Sequence, residues 1–573
     1  MSRTVADALA AGLARHQVTE IFGQSLPSAL FLATPDHGIR QVAYRTENAG
    51  GTMADGYART TGKIGVVAAQ NGPAATLLVP PLAEAMTVSI PILALVQDVP
   101  QANRDRNAFQ EFDHFALFAS CAKWIRRLDD PARVDDYLDQ AISVACSGRP
   151  GPVVLLLPRD VLNLPAPEPQ NPRRAVLGRF PQDRTRPPAD RVAEAADILR
   201  TARRPLVIAG GGVHLSGAAE ALATLQERGA LPVGTTTMGK GSVDETHPLS
   251  LGIVSNYMGR GSLSQHLRDI VKAADVVLFV GTRTNENGTD AWRAFSPDAT
   301  FIHIDVDGAE IGRNYESVRL LGDARLALQD LLVELERGDL TLRHESRAEV
   351  TDALEHAYKR SVEDLDPRAQ SDATPLRPER VLAALDRVSS HGHLIVTADA
   401  SYSTIWMGNQ MRARSVGQRF LAPRGLAGLG WGVPLALGAQ VAHPDAKVVA
   451  IVGDGGFGHV WSELETAVRE ELPIVVIVLN NGILGFQKHV ELIQLGAHTT
   501  ATDFVAVDHA AIARACGANG VRVSQASELQ PALVAALDSG QPYLIDVVCD
   551  PNAYPPITAW DAVADRAILG ADA

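Results

Sequence analysis

Two short segments bring together residue types suited to binding a divalent cation beside phosphate. Gly453-Asp454-Gly455-Gly456 follows the apolar run KVVAIV, and Asn480-Asn481-Gly482-Ile483 follows PIVVIVL. A carboxylate and an amide oxygen are hard ligands for Mg²⁺, and phosphate oxygens with water complete its octahedron. Gly455 and Gly456 leave backbone N–H groups open to those oxygens. The first segment alone is more often a structural turn. As a pair, each directly after an apolar strand and separated by room for a loop, a helix and a returning strand, the two place Asp454 and Asn481 at the carboxyl edge of one sheet. A second constellation lies near the amino terminus, where YRTENAGGTMADGYART sets Glu47 between a strand-like IRQVAYR and a glycine-rich helix start. A carboxylate there can cap the helix or pair with Arg45.

Such groups need rigid sheets behind them, and the apolar runs supply three α/β blocks. The first, 1–163, contains VTEIFG and strand candidates at 64–70, 90–99 and 151–162, separated by stretches long enough for crossover helices. A proline-rich linker, 164–188, leads to a central block, 189–335, of strand-to-glycine turns beginning at RPLVIAGGGVHLSG. A charged helical or linker stretch, 336–373, precedes the third block, 374–573, which holds HLIVTADA, KVVAIVGDGG, PIVVIVLNN and QPYLIDVVCD. The expected architecture is three consecutive doubly wound parallel-sheet domains. A net charge of -14 opposes nucleic-acid binding. Four scattered cysteines without a CxxC pair suggest neither a disulfide scaffold nor thiolate zinc. No run supplies about 20 apolar residues for a membrane span, and the amino terminus lacks the continuous apolar region of a signal peptide. A cytoplasmic protein is expected.

With both metal segments and ENAGGTMADGYAR in place, the chain resembles the thiamine-diphosphate-dependent enzymes over nearly its whole length. QNGPA at 70–74 and AFQEFD at 108–113 make it most similar to the acetohydroxyacid-synthase-like group, that of the acetolactate synthase large subunit. The resemblance implies pyrimidine-binding, central and diphosphate-binding domains in that order. It makes Asp454, the Asn481 side chain and the Ile483 backbone oxygen the Mg²⁺ ligands, with Gly455 and Gly456 beside the diphosphate. Glu47 becomes the group that hydrogen-bonds the aminopyrimidine and activates the cofactor. Leu429 becomes the bulky residue that bends it, and the Ala427 carbonyl an acceptor for its amino group. In ADASYSTIW, Tyr402 and Ser403 stand where synthase relatives have glutamine and histidine, and both can donate to phosphate oxygens.

The same resemblance assigns a substrate pocket to Gln24, Gln70, Asn71, Phe109, Gln110, Arg159 and Val490. Several positions depart from the synthases: Thr46 replaces histidine, Arg159 lysine, Lys488 arginine, and Val490 the tryptophan that faces the acceptor. Losing that aromatic wall reshapes the acceptor end. His459, His489 and His498 lie nearby as proton-transfer candidates. GTRTNENGTDAW, HIDVDGAEIGRN and GDAR resemble the FAD-bearing central domain of the group, which directs attention to Arg283, Asp305 and Asp323; other members hold another nucleotide or none. The implied activity is decarboxylation of a 2-oxo acid followed by ligation to an aldehyde or ketone acceptor, giving an acyloin-type product. Simple decarboxylation, C–C lysis or hydrolysis, and noncatalytic cofactor binding are the alternatives. The family builds its site between subunits, so a homodimer or homotetramer is expected.

Overall fold

Val, Ile, Leu and Ala runs buried on both faces form parallel strands with helices on either side. In the computed structural model, which describes residues 3–169, 171–389 and 394–561, these runs assemble into three six-stranded sheets. The first contains β1 (Glu20–Phe22), β2 (Arg40–Val42), β3 (Gly65–Ala69), β4 (Ile92–Asp98), β5 (Trp124–Arg127) and β6 (Val153–Pro158), ordered β2-β1-β3-β4-β6-β5. The second contains β7 (Pro205–Ala209), β8 (Val233–Thr235), β9 (Ser250–Ile253), β10 (Val276–Val280), β11 (Thr300–Asp305) and β12 (Ser317–Leu321), ordered β12-β11-β10-β7-β8-β9. The third contains β13 (Leu394–Ala398), β14 (Phe420–Leu421), β15 (Lys447–Gly453), β16 (Val475–Asn480), β17 (Asn519–Val523) and β18 (Tyr543–Val548), ordered β14-β13-β15-β16-β18-β17. Neighbouring strands pair in parallel throughout.

The first and third sheets share one strand order, and each reverses direction between its first and third strands in sequence, β1/β3 and β13/β15. The middle sheet reverses between β7 and β10, the order of dinucleotide-binding domains. Ligands of open parallel sheets bind outside the carboxyl ends of strands at such reversal points.

One apolar core runs through the first and third domains. The helix Glu47–Thr61 lies on the helix Gly432–Ala442 so closely that a Cβ added at Gly56 would sit 2.4 Å from the Leu435 carbonyl oxygen. Glycine is required there because backbone meets backbone. Much of the segment 336–373, expected as a charged helix or linker, is the 29-residue helix Thr341–Ala369. Its buried Leu354, Ala357, Ser361 and Leu365 recur at helical spacing, and Leu354 and Ala357 join a core of the middle domain. That stripe makes it a packed element of the fold.

Candidate cofactor site

At the carboxyl edge of the third sheet, the loops after β13, β15 and β16 surround a cavity of about 380 Å³. Tyr402, Ser403, Ala427, Leu429, Asp454, Gly455, Gly456, Asn481 and Ile483 all line it. The topology explains the convergence: β13 and β15 are neighbours at the reversal point, and β16 lies beside β15.

Asp454 follows β15 and is buried. Its Oδ2 accepts the Gly482 N–H at 2.7 Å, which ties the two metal segments together. Burial pushes its pKa up to about 6; the groups countering burial are backbone N–H groups, with no basic side chain among them. A cation beside such a carboxylate would favour its ionised form. Asn481 Oδ1 accepts the Ile483 N–H at 3.3 Å, an Asx turn beside the cavity. Among the described residues no group of three or more His, Cys, Asp and Glu side chains is placed to hold a metal. Asp454, Asn481 and Ile483 bring a carboxylate, an amide and backbone to the wall of one cavity, and oxygen donors are the kind that suit Mg²⁺. Gly456 packs so tightly that an added Cβ would lie 1.8 Å from Asp399 Oδ2.

Because only the ionised carboxylate binds a cation, Mg²⁺-dependent cofactor loading is expected above about pH 6 and lost as pH falls through it. Titrations between pH 5 and 8 check this: the apparent Mg²⁺ affinity should fall with acid, and excess Mg²⁺ should move the midpoint down.

Two further carboxylates organise the site: Asp399 lies within ADASYSTIW, where only Tyr402 and Ser403 were singled out, and Glu463 lies in none of the quoted segments. Asp399, fully buried after β13, accepts the N–H groups of Ala400 (2.9 Å), Gly430 (2.9 Å) and Trp431 (3.0 Å), and burial raises its pKa. It fixes the loop carrying Ala427, whose φ of 60° is left-handed, and Leu429. Like Asp454, Asp399 stands directly after a strand. Glu463, also buried, accepts the N–H groups of Arg45 (3.1 Å) and Thr46 (3.0 Å) and so anchors the start of the Glu47 helix. Thr46 caps that helix through the Ala49 N–H at 3.3 Å.

Two of the expected residues have partners of their own within the chain. The Tyr402 hydroxyl shares a 2.6 Å hydrogen bond with His489 Nδ1, so it is committed within the protein. The N-terminus of the helix Tyr402–Gln410 still opens on the cavity and can receive an anion. Val490 does not line the cavity; it packs against the apolar core of the third domain, one helical turn beyond Phe486 and Gln487, which do line it.

The first-domain candidates gather at the carboxyl edge of their own sheet. Gln24 follows β1, Gln70 and Asn71 follow β3, and Arg159 follows β6. Gln70 Nε2 donates to Gln110 Oε1 at 2.7 Å, and Asn71 Nδ2 to the Gln110 carbonyl at 2.9 Å. Gln24 Nε2 donates to the Arg45 carbonyl at 3.1 Å. Phe109 is 84% exposed beside them. Asp160 accepts the Gln101 N–H and does not pair with Arg159, whose side chain is exposed. Neither Glu47 nor any of these residues lines the third-domain cavity.

A second cavity, of about 130 Å³, lies at the β7/β10 reversal and is lined by Gly211, Gly212, Arg283, Asp305 and Asp323 among others. Burial pushes Asp305 up to about 6. Asp323 is already engaged, capping the helix Ala324–Arg337 through the Leu326 N–H and pairing with Arg184 at 2.8 Å.

Comparison with family models matches residues 3–117 to the N-terminal TPP binding domain of thiamine pyrophosphate enzymes, 192–331 to their central domain and 399–547 to their C-terminal TPP binding domain. Among known proteins, a probable acetolactate synthase large subunit of Methanococcus aeolicus is 32% identical over 564 residues, covering 96% of this chain and 92% of that one. The chain belongs to the thiamine pyrophosphate enzymes. The acetolactate synthase large subunit of Parasynechococcus marenigrum is 34% identical over 570 residues, covering 96% and 88%. The acetolactate synthase of Arthrospira platensis is 33% identical over 581 residues, covering 96% and 95%. Within the thiamine pyrophosphate enzymes the chain falls in the acetolactate-synthase-like group, and its three sheets correspond to the family's three domains. Among the described residues no helix is long and apolar enough to cross a membrane.

Proposed function

We propose that this chain is a carboligase that decarboxylates a 2-oxo acid and joins the remaining carbon unit to a second carbonyl compound, using thiamine diphosphate and Mg²⁺. The observation that carries this function is one cavity lined by Asp454, Asn481, Ile483, Ala427 and Leu429, in a chain similar along 96% of its length to a probable acetolactate synthase large subunit. When bound, thiamine diphosphate supplies the electron sink for loss of CO₂ and delivers the retained carbon as a nucleophile.

The protein's part is positioning, charge and proton handling. Asp454, Asn481 Oδ1 and the Ile483 carbonyl hold the metal, while Gly455, Gly456 and the helix beginning at Tyr402 face the diphosphate. Ala427 and Leu429 orient the organic part of the cofactor. Glu47 holds or releases a proton at the aminopyrimidine. Because Glu47 does not line the cavity containing Asp454, a second copy of the chain supplies it, which makes the active form at least a homodimer. The exposed Phe109, Phe112, Leu426, Phe504 and Val505 support such an assembly, since apolar groups of this size favour a covered surface. Gln70 and Gln110 then face the reacting carbonyl, and Arg159 attracts the substrate carboxylate. The middle cavity, with its dinucleotide-type strand order, suits FAD or a related nucleotide.

Mass spectrometry of products from a panel of 2-oxo acids and aldehydes, with thiamine diphosphate and Mg²⁺ supplied, tests this function. Coupled products support ligation; aldehydes alone would indicate a simple decarboxylase. Arg159→Gln is expected to raise KM about 10-fold for carboxylate-bearing substrates, the loss of one charge-assisted hydrogen bond. Neutral acceptors should be unaffected, and steady-state kinetics on both classes checks the difference.

A further inference from the structure

The helix Val79–Val88 of the first domain carries a carboxylate, Glu84, that is wholly buried and points into the third domain. Its Oε1 accepts the Gly425 N–H at 2.7 Å, and its Oε2 accepts the N–H groups of Leu426 and, at 3.4 Å, Ala427. Three successive backbone donors therefore converge on one side chain. The nearest basic group is Arg59, 3.9 Å away and already paired with Asp55, so the amides are the closer partners. These amides belong to the loop that presents Ala427 and Leu429 to the cofactor cavity. Ala427 is left-handed without being glycine, a conformation that persists only when its surroundings enforce it. Asp399 holds the loop downstream, at Gly430 and Trp431; Glu84 holds it upstream.

We propose that Glu84 is a positioning residue for the cofactor: it fixes Gly425–Ala427 so that the Ala427 backbone and the Leu429 side chain set the conformation of the cofactor's organic rings, while the metal segments hold its diphosphate. This assignment rests on thiamine diphosphate occupying the cavity, as proposed above. A carboxylate is needed because it offers acceptors on both oxygens. Glutamine would turn an NH₂ donor toward a backbone N–H and leave at least one amide unpaired.

The test uses the full-length protein loaded with Mg²⁺ and thiamine diphosphate. Glu84→Gln should change the near-ultraviolet circular dichroism induced in the bound cofactor and lower kcat at saturating cofactor by about 10-fold or more, with cofactor Kd shifting less than about 3-fold. Gly425→Ala probes the same contact from the loop side, because the new Cβ would lie 2.8 Å from Glu84 Oε2 and 2.9 Å from Thr87 Cβ. It should produce the same spectral change, and the double variant should lose no more than the worse single variant. Wild-type induced dichroism and folded-state melting curves for both variants complete the set. Unchanged dichroism and kcat in folded variants would overturn the role of Glu84, as would losses in kcat and Kd that follow only a lowered melting temperature. If wild type binds thiamine diphosphate but turns over no 2-oxo acid, the proposed function fails while the dichroism still decides Glu84.

Discussion

Glu47→Gln is expected to lower turnover by about 10²- to 10⁴-fold, the range that a positioned acid or base contributes, while cofactor and Mg²⁺ still bind. Glutamine keeps the size and one acceptor but cannot cycle a proton. The helix start does not depend on the carboxylate: Thr46 caps it through the Ala49 N–H, and Glu463 anchors the Arg45 and Thr46 amides. The variant should therefore keep its fold, and a helix-cap role for Glu47 would predict loss of stability with little loss of proton transfer. Deuterium exchange at the cofactor's thiazolium carbon, followed by NMR beside a cofactor titration, separates the two. Exchange and turnover near wild-type values would remove Glu47 from the chemistry.

Asp454→Ala is expected to weaken Mg²⁺-dependent thiamine diphosphate binding by about 100-fold or more, the upper end of what losing even a supporting partner of a metal ligand costs. The variant also loses the acceptor of the Gly482 N–H, so a melting curve at neutral pH accompanies the binding measurement to establish that it is folded. Asn481→Ala removes a neutral ligand and should weaken binding less. Calorimetric titration with and without Mg²⁺ measures both variants. Wild-type affinity in a folded Asp454→Ala variant would dismiss the metal assignment.

Many of the central strands were legible because strands covered on both faces read as continuous apolar runs: β3, β4, β6, β7, β13, β15, β16 and β18 coincide with the runs in the sequence. The edge strands β5, β9, β12, β14 and β17 were not, since WIRR or SVRLL has one polar side and FL is only two residues long. The metal half of the site was legible because its residues sit in short segments directly after strands. Asp399, Glu84 and Glu463 were not, because each acts on backbone N–H groups far away in sequence, and a carboxylate accepting backbone amides leaves no pattern of its own. Val490, assigned by resemblance to a substrate wall, is half-buried against the apolar core of the third domain, and its sequence pattern alone does not say what its open side meets.

The account stands most directly on the fate of each carbon of the substrate. A 2-oxo acid labelled with ¹³C at positions 1 and 2 should be incubated with the holoenzyme and an aldehyde and followed by NMR. The expected result is carbon 1 released as CO₂ and carbon 2 bonded to the acceptor carbon, both requiring thiamine diphosphate and Mg²⁺. Carbon 2 recovered solely as free aldehyde, or no CO₂ released by a protein saturated with both cofactors across the substrate panel, would contradict it.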